Sequence, residues 1–256
     1  MLEISDITVN FGGLAALSNV SFRVDAGRIV SVIGPNGAGK TTLFNIITGF
    51  IKPSGGRVAF HDADITGKAP NRIARAGLVR TFQKTEVFPE LTVGECVRTG
   101  FLCHNYFSVA QILFNRQRIR AFELECAAKT SEILDFIGLA GKQDAVAGEL
   151  SYGEQRLLEI AVGLAAKPNL ILLDEPASGM NSEEAERIID LIERLRSLGT
   201  TVLLVEHNMR VVMGISDEVI VLNHGQMIAQ GPPQAISDNP EVITAYLGEG
   251  WNDAGA

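Results

Sequence analysis

Gly34-Pro35-Asn36-Gly37-Ala38-Gly39-Lys40-Thr41 is the stretch on which the fold of this chain turns. It fits the pattern G-x-x-x-x-G-K-[ST] in full. Glycines open backbone conformations closed to other residues, so successive N–H groups can turn inward around phosphates. Lys40 carries a positive charge toward the β- and γ-phosphates, and the Thr41 hydroxyl can ligate Mg²⁺, with Thr42 following on the same turn. A glycine-rich turn with an incidental lysine is the plainer reading, and the flanks decide between them. Before the loop runs Ile29-Val30-Ser31-Val32-Ile33, which suits a strand buried on both faces. After it, residues 42–50 place apolar side chains at helical spacing. Strand, loop, helix is the order a phosphate cradle requires, and the helix adds its positive N-terminal end.

Outward from the loop the pattern repeats. Leu2, Ile4, Ile7 and Val9 suggest a strand, as do Val20, Phe22 and Val24, and a turn over residues 52–56 leads to another at 57–60. Three apolar runs follow late in the chain, at residues 170–173, 201–205 and 219–222, with a helical segment at 182–198 between the first two. Strands alternating with helices imply a mostly parallel sheet covered on both faces. Residues 93–165 read as helical, and residues 232–247 as a short helix. The expected architecture is therefore a single α/β domain over 1–256. It has a core at about 1–92 and 159–231, an inserted helical subdomain at about 93–158, and a tail at 232–256.

Composition sets the outer limits. The chain has 256 residues, 46% hydrophobic and 20% charged, which is globular and not disordered. A formal net charge of -8 argues against a nucleic-acid groove. Cys96, Cys103 and Cys126 stand far apart in no ligand-like spacing, which favours reduced thiols. No run reaches the roughly 18–20 apolar residues that span a bilayer, and the amino terminus lacks a secretory layout. The expectation is a soluble cytoplasmic chain that serves a membrane, if at all, from one side through a partner.

Two further elements carry chemistry. In Leu170-Ile171-Leu172-Leu173-Asp174-Glu175, two carboxylates end a buried strand, where ligands of open α/β sheets sit. Asp174 would hold the metal, and Glu175, one residue further toward the γ-phosphate, would polarise the attacking water. About twenty residues earlier, Leu150-Ser151-Tyr152-Gly153-Glu154 opens a helical pattern. A serine and a glycine at a helix start make an anion site of hydroxyl, bare N–H groups and dipole end. A second phosphate site in one chain suggests ATP shared between two chains.

Here the sequence resembles the ATP-binding subunits of ABC transporters, whose fold is a P-loop ATPase core with an N-terminal antiparallel β-subdomain and an inserted helical subdomain. Their signature is usually Leu-Ser-Gly-Gly-Gln; Ser151 and Gly153 keep their places, and Tyr152 stands where a glycine is usual. The resemblance covers essentially the whole chain and implies roles for further residues. Gln83, in Arg80-Thr81-Phe82-Gln83, matches the glutamine that senses Mg²⁺ and relays to the membrane subunit. His207 matches the histidine that bonds the γ-phosphate, and Phe11 the aromatic that stacks on adenine. Ser178-Gly179-Met180-Asn181 fills the loop usually ending in aspartate. Two such subunits would dimerise head to tail, each ATP lying between one chain's loop and the Ser151, Gly153 and Glu154 segment of the other. Asn10-Phe11-Gly12-Gly13, Glu206-His207-Asn208-Met209 and Ala245-Tyr246-Leu247-Gly248 resemble, more narrowly, the subunits that energise branched-chain amino acid importers. That likeness implies ATP and Mg²⁺ as ligands, and integral membrane permease subunits and, indirectly, a substrate-binding protein as partners. It implies a peripheral position on the cytoplasmic face of the membrane. Residues 85–88 and the semi-apolar stretch 102–114 would offer the permease a surface. The alternatives are a lipopolysaccharide-type export ATPase, which usually has proline where this chain has Phe82, and an ABC ATPase that works without a membrane.

Overall fold

Two sheets divide the apolar patterns of the chain between them. The computed structural model describes residues 1–81, 88–104 and 115–247. Gln83 and most of the two stretches expected to face a permease, 85–87 and 105–114, lie outside the described residues.

The first sheet is antiparallel, in the order β2-β1-β4-β5, from β1 (Leu2–Phe11), β2 (Leu14–Val24), β4 (Gly55–Phe60) and β5 (Ala63–Asp64). Along β1 the buried set steps from Leu2 and Ile4 to Ile7 and Val9, a break in the period of two. The register shifts at that point, with Asp6 at a φ of 52° and its N–H donating to Ser21 Oγ at 2.7 Å. A bulge therefore returns the strand to its core face.

The second sheet has the order β10-β9-β3-β8-β7-β6. Its strands are β3 (Ile29–Ile33), β6 (Leu78–Arg80), β7 (Leu170–Asp174), β8 (Thr201–Val205), β9 (Glu218–Asn223) and β10 (Gln226–Gly231). All neighbouring pairs are parallel except β9–β10, a hairpin turning on His224 and Gly225, both at positive φ. Strands β3, β7 and β8 are buried at every residue, as befits a sheet covered on both sides. Alternate side chains enter different cores. Ile171, Leu173, Val202 and Leu204 face the helical insertion, while Leu170, Leu172, Leu203 and Val205 face helix α1 (Lys40–Ile47) and the antiparallel sheet.

Between the first-sheet hairpins and the insertion lies the short helix α2 (Pro70–Arg75). The insertion contains α3 (Val93–Phe101), α4 (Arg116–Phe136) and the first half of α5 (Tyr152–Ala165). The expected boundary at 158–159 falls inside α5. Leu157, Leu158, Ile160 and Ala161 of that helix share one apolar cluster with Ile171 and Leu173 of the sheet, so insertion and core hold it in common. Helices α6 (Ser182–Ser197) and α7 (Met209–Ile215) return the chain to the sheet.

The tail read as one helix is two, α8 (Pro233–Ser237) and α9 (Pro240–Leu247). Pro240 lacks the N–H that would continue α8, and Asn239 Oδ1 accepts from Glu241 N at 2.9 Å to start the next helix. Together they cover Ile33, Val219 and Val221, and bring Tyr246 beside the Gly34 backbone, where burial pushes its phenol up to about 12.

Candidate nucleotide site

Strand β3 sits between β8 and β9 and delivers the glycine loop at its carboxyl end. A Cβ at Gly34 would lie 2.1 Å from the Leu222 carbonyl oxygen, so the chain passes β9 there only as glycine. Lys40 opens α1 and arches back over its own loop, donating from Nζ to the Gly34 carbonyl at 2.6 Å and the Pro35 carbonyl at 3.0 Å. A cavity of about 420 Å³ lies here, lined by residues 36–42, Leu14, Ala16, Glu175 and the β9–β10 hairpin residues His224 and Gly225. The structure thus gathers the loop, Thr41, Thr42 and Glu175 at one place. Phe11 is half-exposed at the tip of the first hairpin, paired in register with Leu14 of the cavity wall.

Asp174 ends β7 with its side chain 3% exposed. Its Oδ2 accepts from Arg80 Nη2 at 2.7 Å, and the same guanidinium donates from Nη1 to Asn45 Oδ1 at 2.6 Å. One buried cation therefore ties β6, β7 and α1 together around the carboxylate. The sequence signal for it is a charge in Leu78-Val79-Arg80, an otherwise apolar strand, three residues before Gln83.

Glu175 sits at a φ of 49°, in the left-handed region. For a non-glycine residue that costs roughly 1–3 kcal/mol and persists only where the surroundings enforce it. Enforcement comes from the sheet, since Glu175 N donates to the Val205 carbonyl at 2.9 Å. His207 Nδ1 lies 3.9 Å from Glu175 Oε1, and the histidine is largely exposed.

Behind the pair is Glu206, 1% exposed. Its Oε1 accepts from Ala177 N at 3.0 Å, and its Oε2 from His207 N at 3.1 Å and Asn208 N at 3.4 Å. The carboxylate clasps the turn after Glu175 to the turn that carries His207. The sequence signal for it is a glutamate closing an apolar strand, within Glu206-His207-Asn208-Met209. Glu206→Gln sets an NH₂ group against at least one of these N–H donors and leaves it unsatisfied, at a cost of about 1–3 kcal/mol. We expect a lower denaturant midpoint and a kcat for ATP reduced by up to about 10²-fold, with KM little changed. A steady-state phosphate-release assay beside a denaturant titration checks both.

Ser151 caps α5. Its Oγ accepts from Glu154 N at 3.3 Å, and Glu154 Oε2 accepts from Ser151 N at 3.1 Å. Glu154 also pairs with Lys142, which holds its carboxyl below the usual carboxylate range. The carboxylate expected to reach a second chain's nucleotide is thus engaged in shaping its own loop. Asn181, in the place of the usual aspartate, caps α6 through Oδ1 on Glu184 N at 3.0 Å. Ser151, Gly153 and Glu154 line a separate small pocket with Glu184 and Arg187, sharing no residue with the loop cavity. Within one chain, the structure does not bring the two segments expected to bind phosphate together.

A glycine cradle, a strand-end carboxylate pair and a separate serine-capped helix define an ABC-type ATPase, and comparison with known proteins agrees. Residues 17–178 match the family described as ABC transporter, and residues 226–251 match the branched-chain amino acid ATP-binding cassette transporter family. The high-affinity branched-chain amino acid transport ATP-binding protein BraF of Pseudomonas aeruginosa is 43% identical over 250 residues, 97% of this chain and 98% of that protein. LivG of Escherichia coli, which bears the same description, is 42% identical over the same shares. The crystal structure of a nucleotide-free ATP-binding cassette from an ABC transporter superposes with a TM-score of 0.85 at 36% identity, covering 97% of this chain and 99% of that one. The chain belongs to the ABC transporter ATP-binding proteins, and within them to the branched-chain amino acid transport group. It is an ATPase whose hydrolysis is coupled to transport.

Proposed function

We propose that this chain powers the import of branched-chain amino acids by closing on ATP together with a second ATP-binding subunit beneath a membrane permease. The observation that carries the reading is the cavity in which Glu175 meets the loop of residues 36–42, with His207 3.9 Å from Glu175. Phe11 stacks on the adenine from the hairpin tip. Loop N–H groups and Lys40 hold the β- and γ-phosphates, and the ammonium exchanges its carbonyl partners for phosphate oxygens. Glu175 accepts a proton from the attacking water, and His207 donates to the γ-phosphate.

The Thr41 hydroxyl and the Asp174 carboxylate offer hard oxygen donors suited to Mg²⁺, and Gln83 is assigned to the same ion by motif. Among the described residues no cluster of three His, Cys, Asp or Glu could cage a metal alone. Mg²⁺ bound there supplies charge neutralisation at the phosphate oxygens.

The Ser151 segment lies outside the loop cavity of its own chain, so it serves the nucleotide of the partner. A γ-phosphate held by one loop lacks donors on its far side. Each missing preorganised donor costs about 10²–10³ in rate. The permease docks in the groove of about 350 Å³ between core and insertion, walled by Arg80, Thr81, Phe88, Cys96 and Glu159 among others. No described helix is long and apolar enough to cross a membrane. The peripheral position at the cytoplasmic face rests on the transport family to which the chain belongs. Neither an export ATPase nor a membrane-free ATPase gains support from any observation here.

The test uses the complex purified with its permease subunits and substrate-binding protein in sealed vesicles. ATP-dependent uptake of labelled leucine, isoleucine or valine is expected. Coupled uptake of another solute with none of these three would overturn the substrate assignment.

A further inference from the structure

Tyr152 occupies a position where the signature of this family usually has glycine, and the structure gives it two attachments. Its hydroxyl accepts from Arg156 Nη2 at 2.9 Å and Nε at 3.2 Å. Its ring borders Gly179: a Cβ added there would stand 3.5 Å from Tyr152 Cε1, an ordinary contact distance, so the ring edge limits the space beside that turn. Gly179 belongs to the 178–181 turn that follows Glu175 and ends in the cap of α6. Arg156, 4% exposed, sits one turn along α5 from the tyrosine and pairs through Nη1 with Glu159 Oε2 at 2.9 Å. Residues 152, 156 and 159 occupy one face of the helix, as spacings of four and three require. Glu159 lies in the wall of the groove between core and insertion.

We infer that Tyr152 is a strap that makes the signature segment 151–153 and the 178–181 turn one body, anchored on Arg156. A glycine could not do this, because it has neither ring nor hydroxyl. Anchoring the phenol on a buried guanidinium fixes its rotamer, since a hydrogen bond to a charged donor is about twice as strong as a neutral one. The consequence is geometric. The face offered to a second chain consists of Ser151 and the 178–181 turn, with Gly153 buried behind them against Glu184, and the strap presents the two segments in a fixed relation. Tyr152 is thus a positioning residue for closure of the two-chain site, not for nucleotide binding by its own loop. The inference rests on the two-chain reading given above.

The test places Tyr152→Phe and Tyr152→Gly in a Glu175→Gln parent and follows the ATP-driven monomer–dimer equilibrium by sedimentation. ATP affinity of the dilute monomer and the thermal midpoint are measured beside it. Tyr152→Phe keeps the ring and loses the anchor, and should weaken the dimer roughly tenfold. Tyr152→Gly loses both attachments and should weaken it further. Monomer ATP affinity should stay within about twofold in each variant, which a general loss of structure would not allow. Dimerisation of Tyr152→Gly equal to the parent would overturn the strap, because the tyrosine would then be a passive replacement of glycine. A uniform loss of melting temperature, ATP affinity and dimer in Tyr152→Phe would also overturn it. Ser151→Arg serves as the control, and is expected to abolish closure while ATP still binds. If that variant closes normally, or if the parent associates under ATP neither with a second copy nor with the other ATP-binding subunit of the complex, the two-chain reading falls and the strap with it.

Discussion

Glu175→Gln will lower ATP turnover by about 10²–10⁴-fold while ATP binding persists. Glutamine has the same shape and leaves the loop, Lys40 and Thr41 untouched, but its amide cannot take the proton of the attacking water. The backbone argues for the same outcome. Glu175 sits at a φ of 49° with its N–H bonded to the Val205 carbonyl, a backbone bond that the glutamine keeps. The closed two-chain state should accumulate, since the step that ends it is slowed. Single-turnover phosphate release, read beside equilibrium ATP titration, separates chemistry from binding. Turnover of the glutamine variant within threefold of the parent would remove Glu175 as the base.

Arg80→Met should be the most destabilising single change at the site. The Arg80–Asp174 pair is nearly solvent-free, at 6% and 3% exposure. Removing one partner of such a pair leaves a buried charge uncompensated, at a cost of about 3–5 kcal/mol. For a chain of this size that corresponds to a melting shift of roughly 6–20 °C. Arg80→Met combined with Asp174→Asn removes both charges and should restore most of the lost stability, because a neutral pair carries no such penalty. Turnover will not return, since the carboxylate assigned to the metal is gone. Thermal melts and phosphate release on the single and double variants check the pair. A melting point for Arg80→Met within about 2 °C of the parent would show that the ion pair carries no weight.

The phosphate cradle was legible in the sequence because its chemistry is local. Gly34, Lys40 and Thr41 act within one loop, and their flanking strand and helix are continuous stretches. Strands β3, β7 and β8 were legible for the same reason, as uninterrupted apolar runs. What escaped depends on contacts distant in sequence. β6 is three residues long and is a strand only because Leu78 to Arg80 lie beside Leu170 to Leu172. β10 is partly exposed and owes its state to the β9 hairpin. Arg80 finds Asp174 across 94 residues, and Glu206 finds Ala177 across 29. No local pattern announces either. Helix ends moved for a further reason. Residues 42–50 have the right period, but Gly39 sets the start of α1, and Gly49 at a φ of 80° ends its last turn.

Helix α5 has 14 residues, with Ser151 at its amino end and its apolar middle packed on the sheet. At 1.5 Å per residue its axis is about 21 Å long. A tilt of about 8° around the carboxyl end moves the amino end by about 3 Å, which separates a hydrogen bond from no contact at all. On the two-chain reading proposed above, a tilt of that size would let the insertion engage or release the partner's phosphate without a hinge loop. Taken as a lever pivoting at its carboxyl end, where Ala165 shares the apolar cluster of Ile171 in β7, the helix would carry a push of a few degrees in the groove beside Glu159 to Ser151 as a whole contact made or lost.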